Sequence, residues 1–299
     1  MRVEVLDEHP QPEPWQTVTV KKMGNITEVR YMAVNRRGCA ITKVNKDRYI
    51  VLSTGEVKDF VHHEKRIDDT DSIKQSIKRL REVINCNVTN PLYAKWVTLT
   101  YADNMQSSVK LYADFKAFNA RLRYWLKTNK KPLYEYIAVA EPQQRGAWHF
   151  HCFLIFPGPA PYIHFSIIRE AWRQGAIDIK ALDTIDNVGA YLTPYLTDIA
   201  IDEGLSGKAP AGLRVVEETG KAYIKGGRLR YYPAGMRLYR ASRGIKRPIV
   251  FKCSAYKSMQ YVGSAKLTYE KTIKLCEDDT GKTINVINYR QFNKSKKGD

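Results

Sequence analysis

The sequence has few cysteines and no long apolar run. Its five cysteines are scattered and never form a C-x-x-C pattern, which argues against both a disulfide framework and a zinc finger. No stretch approaches the roughly 18 consecutive apolar residues that a membrane-spanning helix requires. The first residues are acidic and rich in proline, unlike a basic and apolar signal peptide. We therefore expect a cytoplasmic protein with reduced thiols and no membrane partner.

Acidic residues are also scarce relative to basic ones. The 299 residues include 49 lysines and arginines against 31 aspartates and glutamates, which gives a formal net charge of +18. Such an excess attracts polyanions, nucleic acid first and an anionic membrane surface second. Hydrophobic residues make up 43% of the chain, which is enough for a real core and excludes a disordered protein.

The imbalance is strongest between residues 205 and 260, where 13 lysines and arginines face only 2 acids and alternate with tyrosines. A groove for single-stranded nucleic acid needs cations along the phosphates and rings that stack on unpaired bases. An ordinary basic surface over a β-rich core would explain the tyrosines but not the shortage of acids. The candidate DNA-binding residues are Arg228, Arg230, Tyr231, Tyr232, Arg237, Tyr239, Arg240, Arg243, Lys246 and Arg247.

Two histidines flank a single aromatic residue in His149-Phe150-His151. The surrounding run from 148 to 156 is predicted to form a strand, so both imidazoles lie on one face. A preceding strand over 134–140 would pair with it across a turn and bring Glu141 close to the histidines. Two imidazoles and a carboxylate suit a catalytic divalent metal ion. Because a two-residue pattern is a weak signal, an incidental histidine pair is the alternative.

The spacing of apolar residues predicts the elements around this hairpin. It indicates an N-terminal β-hairpin between residues 17 and 31, helices over 71–84, 111–125, 166–174 and 185–200, and strands over 95–101 and 176–180. The order predicts an α+β fold in which helices cover one side of an antiparallel sheet. We divide the chain into a β-rich N-terminal region (1–65), a central domain (66–204) and a basic C-terminal region (205–299).

Three motifs, in this order, resemble those of the HUH endonucleases. They are the strand Trp96-Val-Thr-Leu-Thr, the histidine triplet with Glu141 eight residues before it, and the tyrosines Tyr191 and Tyr195 in Val188-Gly-Ala-Tyr-Leu-Thr-Pro-Tyr-Leu. The resemblance covers roughly residues 95–198. It is closest to rolling-circle replication initiators of single-stranded DNA phages and small bacterial plasmids. It implies that the central domain is an HUH endonuclease with an RRM-like palm.

The resemblance also implies an activity. A Mg²⁺ or Mn²⁺ ion would be held by Glu141, His149 and His151, and Tyr191 or Tyr195 would attack a phosphate of single-stranded origin DNA, in a stem-loop. The product is a 5′-phosphotyrosine link and a free 3′ hydroxyl, and the ends are later rejoined. The chain lacks a complete phosphate loop, so a host helicase and a host polymerase would be partners.

Two departures from the family leave other functions open. The family often has a lysine three residues after each tyrosine, and Pro194 and Asp198 stand there in this chain. A conjugative relaxase or a single-strand transposase would use the same chemistry on other DNA. A regulator that binds origin DNA without cutting is the non-enzymatic alternative. A metal-dependent oxygenase or cupin would need an acid soon after His151, but the next one is Glu170.

Overall fold

The computed structural model describes residues 2–35, 40–61, 70–143, 146–180, 182, 199–200, 215–218, 221–224, 232 and 236–296. The chain forms two compact units. We call residues 65–248 the central unit, and residues 1–64 together with 249–299 the terminal unit.

The described elements are numbered in chain order. The helices are α1 (Thr70–Asn87), α2 (Ser108–Thr128), α3 (Phe165–Trp172) and α4 (Ala255–Val262), with a short 3₁₀ helix over Pro91–Tyr93. The strands are β1 (Arg2–Leu6), β2 (Thr17–Met23), β3 (Ile26–Met32), β4 (Ile41–Lys43), β5 (Arg48–Val51), β6 (Val57–Asp59), β7 (Ala94–Thr100), β8 (Glu135–Pro142), β9 (Trp148–Ile155), β10 (Ile177–Lys180), β11 (Ile199–Ala200), β12 (Val215–Glu218), β13 (Lys221–Ile224), β14 (Tyr239–Ala241), β15 (Ile249–Ser254), β16 (Lys266–Cys276) and β17 (Thr283–Asn293).

The central unit is built on a five-stranded antiparallel sheet in the order β10-β7-β9-β8-β14. Strand β9 lies in the middle, where its aromatic and aliphatic side chains are covered on both faces. Strand β7 carries β-branched and aromatic residues in alternation, which fits a pleated and half-buried surface. The strands predicted over 95–101, 134–140, 148–156 and 176–180 are therefore confirmed, with ends that differ by one or two residues.

Helices α2 and α3 pack on one face of this sheet. Buried residues of α2 such as Phe118 and Leu122 share a core with Phe150, Cys152 and Leu154 of β9. The predicted α+β class with an antiparallel sheet is confirmed, and these two helices lie on one side as expected.

Helix α1 is the exception to the one-sided arrangement. Its buried residues Leu80 and Ile84 share a second core with Ile137, Val139 and Phe153. Those three side chains point away from α2, because neighbouring residues on a strand face opposite sides of a sheet. Helix α1 therefore covers part of the face that also carries the histidines.

The terminal unit contains a six-stranded antiparallel sheet in the order β1-β16-β17-β3-β2-β15, and β4, β5 and β6 form a separate small sheet. The predicted hairpin between residues 17 and 31 is the pair β2 and β3. Sequence reasoning assigned the two ends of the chain to separate regions, whereas here residues 249–299 pair with N-terminal strands. Local patterns do not reveal strand partners more than 200 residues apart.

The predicted helix over 185–200 lies outside the described residues except at its end. There, residues 199 and 200 form β11 and pair with β13, so this end of the prediction was wrong. A two-residue strand is too short to produce a detectable pattern in a sequence. Within the part of the chain that the structure describes, no helix is both long enough and apolar enough to cross a membrane.

Candidate metal centre

The register of three adjacent strands brings the candidate ligands together. Strand β9 pairs with β8 so that Glu141 lies directly opposite His149. On its other side β9 pairs with β7, which places Thr98 opposite His151. Paired residues of antiparallel strands share a face of the sheet. The predicted pairing of the two site strands and the common face of both histidines are therefore present in the structure.

The carboxylate and the two imidazoles converge on one point. The Oε2 atom of Glu141 lies 3.6 Å from Nε2 of His149 and also contacts Nε2 of His151. One ligand atom from each residue lies within 4.8 Å of the others. In the described part of the chain, this is the one group of three or more such side chains that could hold a metal ion.

Burial at this cluster differs between the carboxylate and the rings. The Glu141 side chain is 2% exposed, whereas those of His149 and His151 are 14% and 15% exposed. A buried carboxylate is costly unless charged or polar groups compensate it, and the imidazoles provide such partners. The carboxylate thus forms the floor of the cluster, and the partly exposed rings leave solvent access from above.

Two residues of β7 support His151. The Trp96 ring stacks on the His151 ring with 5.3 Å between centroids and 14° between planes. The Thr98 Oγ1 atom lies 3.2 Å from Nδ1 of His151, within hydrogen-bonding distance. With Nδ1 engaged by Thr98, Nε2 is the nitrogen directed at Glu141. Sequence reasoning did not assign these roles. The alternation in Trp96-Val-Thr was visible, but its pairing with the histidine strand was not.

The face opposite the cluster is apolar and closed. Cys152 stands next to His151 but points to the core under α2 and α3, and burial raises the pKa of its thiol well above the usual value. This cysteine therefore stays protonated and faces away from the carboxylate and the imidazoles. The donors that face the cluster are nitrogen and oxygen, a set that suits a divalent cation with open positions for water or substrate.

The turn between β8 and β9 fixes how these strands meet. Gly146 adopts a positive φ of 86°, a conformation that favours glycine. The backbone N–H of Gln143 donates to the carbonyl of Ala147 over 2.7 Å, and the indole of Trp148 donates to the carbonyl of Gln106 over 2.8 Å. These bonds hold the ends of the two site strands next to the start of α2.

Tyr232 has a structural position rather than an exposed one. Its hydroxyl donates to the carbonyl of Ala140 over 2.7 Å, and its ring is only 2% exposed and packs against Trp148. A ring so enclosed has no free face for a base, so it does not serve the DNA-stacking role expected from composition. Composition does not distinguish a buried tyrosine from an exposed one.

The other described members of the basic set lie at the edge of the same sheet. Arg237, Arg240, Arg243, Lys246 and Arg247 are exposed. Arg240 of β14 pairs with Ala138 of β8, and its guanidinium lies 3.4 Å from the centre of the Tyr112 ring. Arg247 donates to the Tyr239 hydroxyl over 3.2 Å.

Five candidates from the sequence have no place in this description. The tyrosines Tyr191 and Tyr195, together with Arg228, Arg230 and Tyr231, lie outside the described residues. Their predicted roles stay predictions.

Comparison with known proteins covers the part of the chain that holds this cluster. Residues 94–200 match the family described as replication-associated protein ORF2, a rolling-circle replication-associated family. The matched stretch begins with β7 and includes Glu141, His149 and His151. No curated protein and no solved structure matches the chain. About a third of the chain is thus similar to replication-associated proteins.

Proposed function

We propose that the protein initiates rolling-circle replication by nicking single-stranded origin DNA. The observation that carries this proposal is the convergence of Glu141, His149 and His151 within the stretch that is similar to the replication-associated family. A carboxylate and two imidazoles on one partly open face form a site for catalysis with a divalent ion rather than a closed structural site. The high net positive charge supports a nucleic acid as the substrate.

Glu141, His149 and His151 are the residues that would hold Mg²⁺ or Mn²⁺. When bound, such an ion polarises the scissile phosphate and offsets the charge on its oxygens. Thr98 and Trp96 fix the orientation of His151, so the ligand set is organised before an ion arrives. The buried carboxylate of Glu141 keeps water away from one side of the cluster.

Tyr191 and Tyr195 are the proposed nucleophiles, on the evidence of the sequence motif. The tyrosine oxygen forms a bond to phosphorus, the bond from phosphorus to the 3′ oxygen breaks, and the proton lost by tyrosine is matched by one gained at the 3′ hydroxyl. The step is a transesterification, so no oxidant or further reactant is required. The bond energy is conserved for rejoining, and the second tyrosine would attack the regenerated junction.

The exposed cations at the sheet edge are proposed to position the DNA backbone. Arg237, Arg243 and Lys246 are exposed close in sequence to β14, the neighbour of the strand that carries Glu141. Arginine and lysine side chains at such an edge contact phosphates without reading sequence.

The test is the formation of a covalent protein–DNA adduct. Purified protein is mixed with labelled single-stranded oligonucleotides from its own replicon and with Mn²⁺ or Mg²⁺, and the products are separated on a denaturing gel. We expect a metal-dependent adduct that is lost in His149→Asn and retained in His164→Asn. His164 is a matched control because it caps α3, a role that asparagine also serves.

The nucleophile is identified by removing one tyrosine hydroxyl at a time. We expect that Tyr191→Phe or Tyr195→Phe abolishes the first adduct, while Tyr124→Phe, at an exposed position of α2, leaves it intact. If the wild type binds the oligonucleotides but forms neither an adduct nor a nick with either metal, the catalytic proposal fails. A regulator that binds origin DNA without cutting would then take its place.

A further inference from the structure

The large sheet of the terminal unit has one covered face and one open face. Helix α4 packs on the covered face, where Val18, Val20 and Val29 form a core with Val262 and Phe292. Residues next to these in sequence point to the other side, because side chains alternate along a strand. The strand pairings therefore identify which residues share the open face.

Five of these residues lie side by side across five strands. Lys252 of β15 is opposite Thr19 of β2, which is opposite Arg30 of β3. Arg30 is in turn opposite Tyr289 of β17, which is opposite Lys271 of β16. We call Lys252, Thr19, Arg30, Tyr289 and Lys271 the basic row. It carries three cations, a tyrosine and no acid, and with adjacent strands about 4.8 Å apart it spans about 19 Å.

The surroundings of the basic row are suited to unpaired bases. The exposed ring of Tyr269 lies in the next row, which also holds an acid, Glu28, opposite Lys21. On the other side of the basic row, a concavity of about 450 Å³ is lined by Arg30, Lys252 and several apolar side chains. Aromatic rings and apolar ground next to cations form a stacking platform for bases with a track for the backbone.

The two faces of the sheet differ in how their charges are compensated. On the covered face, Arg2 and Lys274 both contact Glu4. On the open face, Lys252, Arg30 and Lys271 form no ion pair with any residue in the described ranges. The Nε atom of Arg30 is also buried without a hydrogen-bond partner among these residues. Unpaired cations in a row favour binding of a polyanion.

We propose that the open face of the terminal unit is a binding surface for single-stranded DNA. Lys252, Arg30 and Lys271 contact successive phosphates, and Tyr289 and Tyr269 stack on bases. This surface is separate from the metal cluster and from the basic set at the edge of the central sheet. The choice of DNA over RNA rests on the proposed function, whereas the choice of a single strand rests on the rings and the apolar ground beside the cations.

The first experiment measures binding without catalysis. The anisotropy of a fluorescent oligothymidylate is followed with the full chain in chelator at several salt concentrations. The test variant combines Lys252→Gln, Arg30→Gln and Lys271→Gln. The control variant combines Lys46→Gln, Lys257→Gln and Lys294→Gln, which remove the same charge at exposed positions off the basic row.

We expect the test variant to bind at least about tenfold more weakly and to lose about two units from the slope of log affinity against log salt. The control variant should keep the wild-type slope. Tyr289→Ala should weaken binding about fivefold or more, whereas Tyr289→Phe, which keeps the ring, should not. Equal losses in the test and control variants, or wild-type behaviour of the test variant, would overturn the proposal.

A second measurement uses the wild-type chain and does not depend on the folding of variants. Oligonucleotides with photoreactive iodouracil are crosslinked, and the labelled peptides are identified by mass spectrometry. Crosslinks at Tyr289 or Tyr269 are expected. Crosslinks confined to the central unit would refute the surface. Tighter binding of RNA or of duplex DNA of equal length would refute the assignment to single-stranded DNA.

The adduct assay separates this inference from the proposed function. If no adduct forms but the test variant loses binding, the surface stands and the nicking proposal fails. If the adduct forms and the test variant binds as tightly as the wild type, nicking stands and the surface fails.

Discussion

The metal cluster depends on single contacts made by individual residues. Thr98 and Trp96 hold one imidazole, and Glu141 lies between that imidazole and the second one. The position of His151 relative to His149 follows from strand alternation alone. Its ring orientation does not, because that is set by the hydroxyl and the indole of a neighbouring strand.

We expect Thr98→Val to weaken metal binding at the cluster by about 10-fold to 100-fold, the usual effect of losing a group that orients a ligand. Valine keeps the shape of threonine but removes the hydroxyl that faces Nδ1 of His151. The measurement is the Mn²⁺ affinity by calorimetry. Thr128→Val, at an exposed site on α2, is the control and should bind Mn²⁺ as the wild type does. Unchanged affinity in Thr98→Val would show that the hydroxyl does not orient the ring.

Tyr134 is a buried tyrosine beneath α2. Its hydroxyl donates to Oδ1 of Asn119 over 2.9 Å, and its ring is 1% exposed. Burial raises the pKa of this tyrosine, because the charged phenolate is poorly solvated in the core. The folded state therefore holds the proton more tightly than the unfolded state does. The resulting stabilisation is complete below the unfolded pKa of about 10 and is lost progressively as the pH rises above it.

Tyr134→Phe should reduce the alkaline loss of stability. We expect the free energy of unfolding of the variant to fall less steeply than that of the wild type between about pH 10 and pH 11, by up to about 1.4 kcal/mol per pH unit. Urea unfolding at several pH values measures this slope. Tyr124→Phe, with a ring 73% exposed, should keep the wild-type slope. If Tyr134→Phe also keeps it, this tyrosine does not titrate on unfolding.

At the scale of elements, the passage from α3 to β10 is the tightest turn near the sheet. Helix α3 ends at Arg173, which adopts a left-handed conformation with φ 64°. Gly175 follows with φ 153°, and the next residue accepts a backbone hydrogen bond from Thr100 of β7. A Cβ atom at Gly175 would lie 2.5 Å from backbone atoms of Ala102 and Thr100. The pairing of β10 with β7 therefore requires glycine here.

We expect Gly175→Ala to lower the free energy of unfolding by at least about 2 kcal/mol, because backbone rather than a flexible side chain must move. Gly158→Ala is the matched control. A Cβ atom at Gly158 meets nothing within 4 Å, so that variant should lose no stability. Thermal and urea unfolding of the two variants provide the comparison. Equal stability of the two would show that the turn relaxes without cost.

At the scale of the molecule, the two ends of the chain build one sheet. Strand β3 pairs with β2 on one side and with β17 on the other, while β2 pairs with β15 and β1 pairs with β16. The N-terminal strands alone lack the neighbours that complete the terminal sheet. The central unit is continuous, and both of its buried cores consist of residues between 77 and 245.

A fragment of residues 65–248 is therefore expected to fold with a cooperative thermal transition, whereas a fragment of residues 1–64 is not. The first contains its complete cores, and the second lacks the strands that flank its hairpin. Circular dichroism during melting gives the comparison. Residues 1–64 joined to 249–299 by a glycine-serine linker serve as the control and should regain a cooperative transition. Cooperative melting of 1–64 alone would contradict the role of the C-terminal strands.

Local patterns predicted the parts of the site whose contacts are close in sequence. Alternation over 148–156 placed both histidines on one face, and the short turn after Glu141 made that residue their neighbour. These inferences succeed because strand geometry and short loops leave few alternatives. The aromatic stripe of α2 likewise predicted its buried side.

The tertiary structure supplied the partners that are distant in sequence. Thr98 meets His151 across 53 residues, the basic row combines residues from both ends of the chain, and Tyr232 is buried despite its basic surroundings. A hydrophobic pattern states which face of an element will be covered. It does not state by what, because many pairings bury the same area and only the packing of the whole chain selects one.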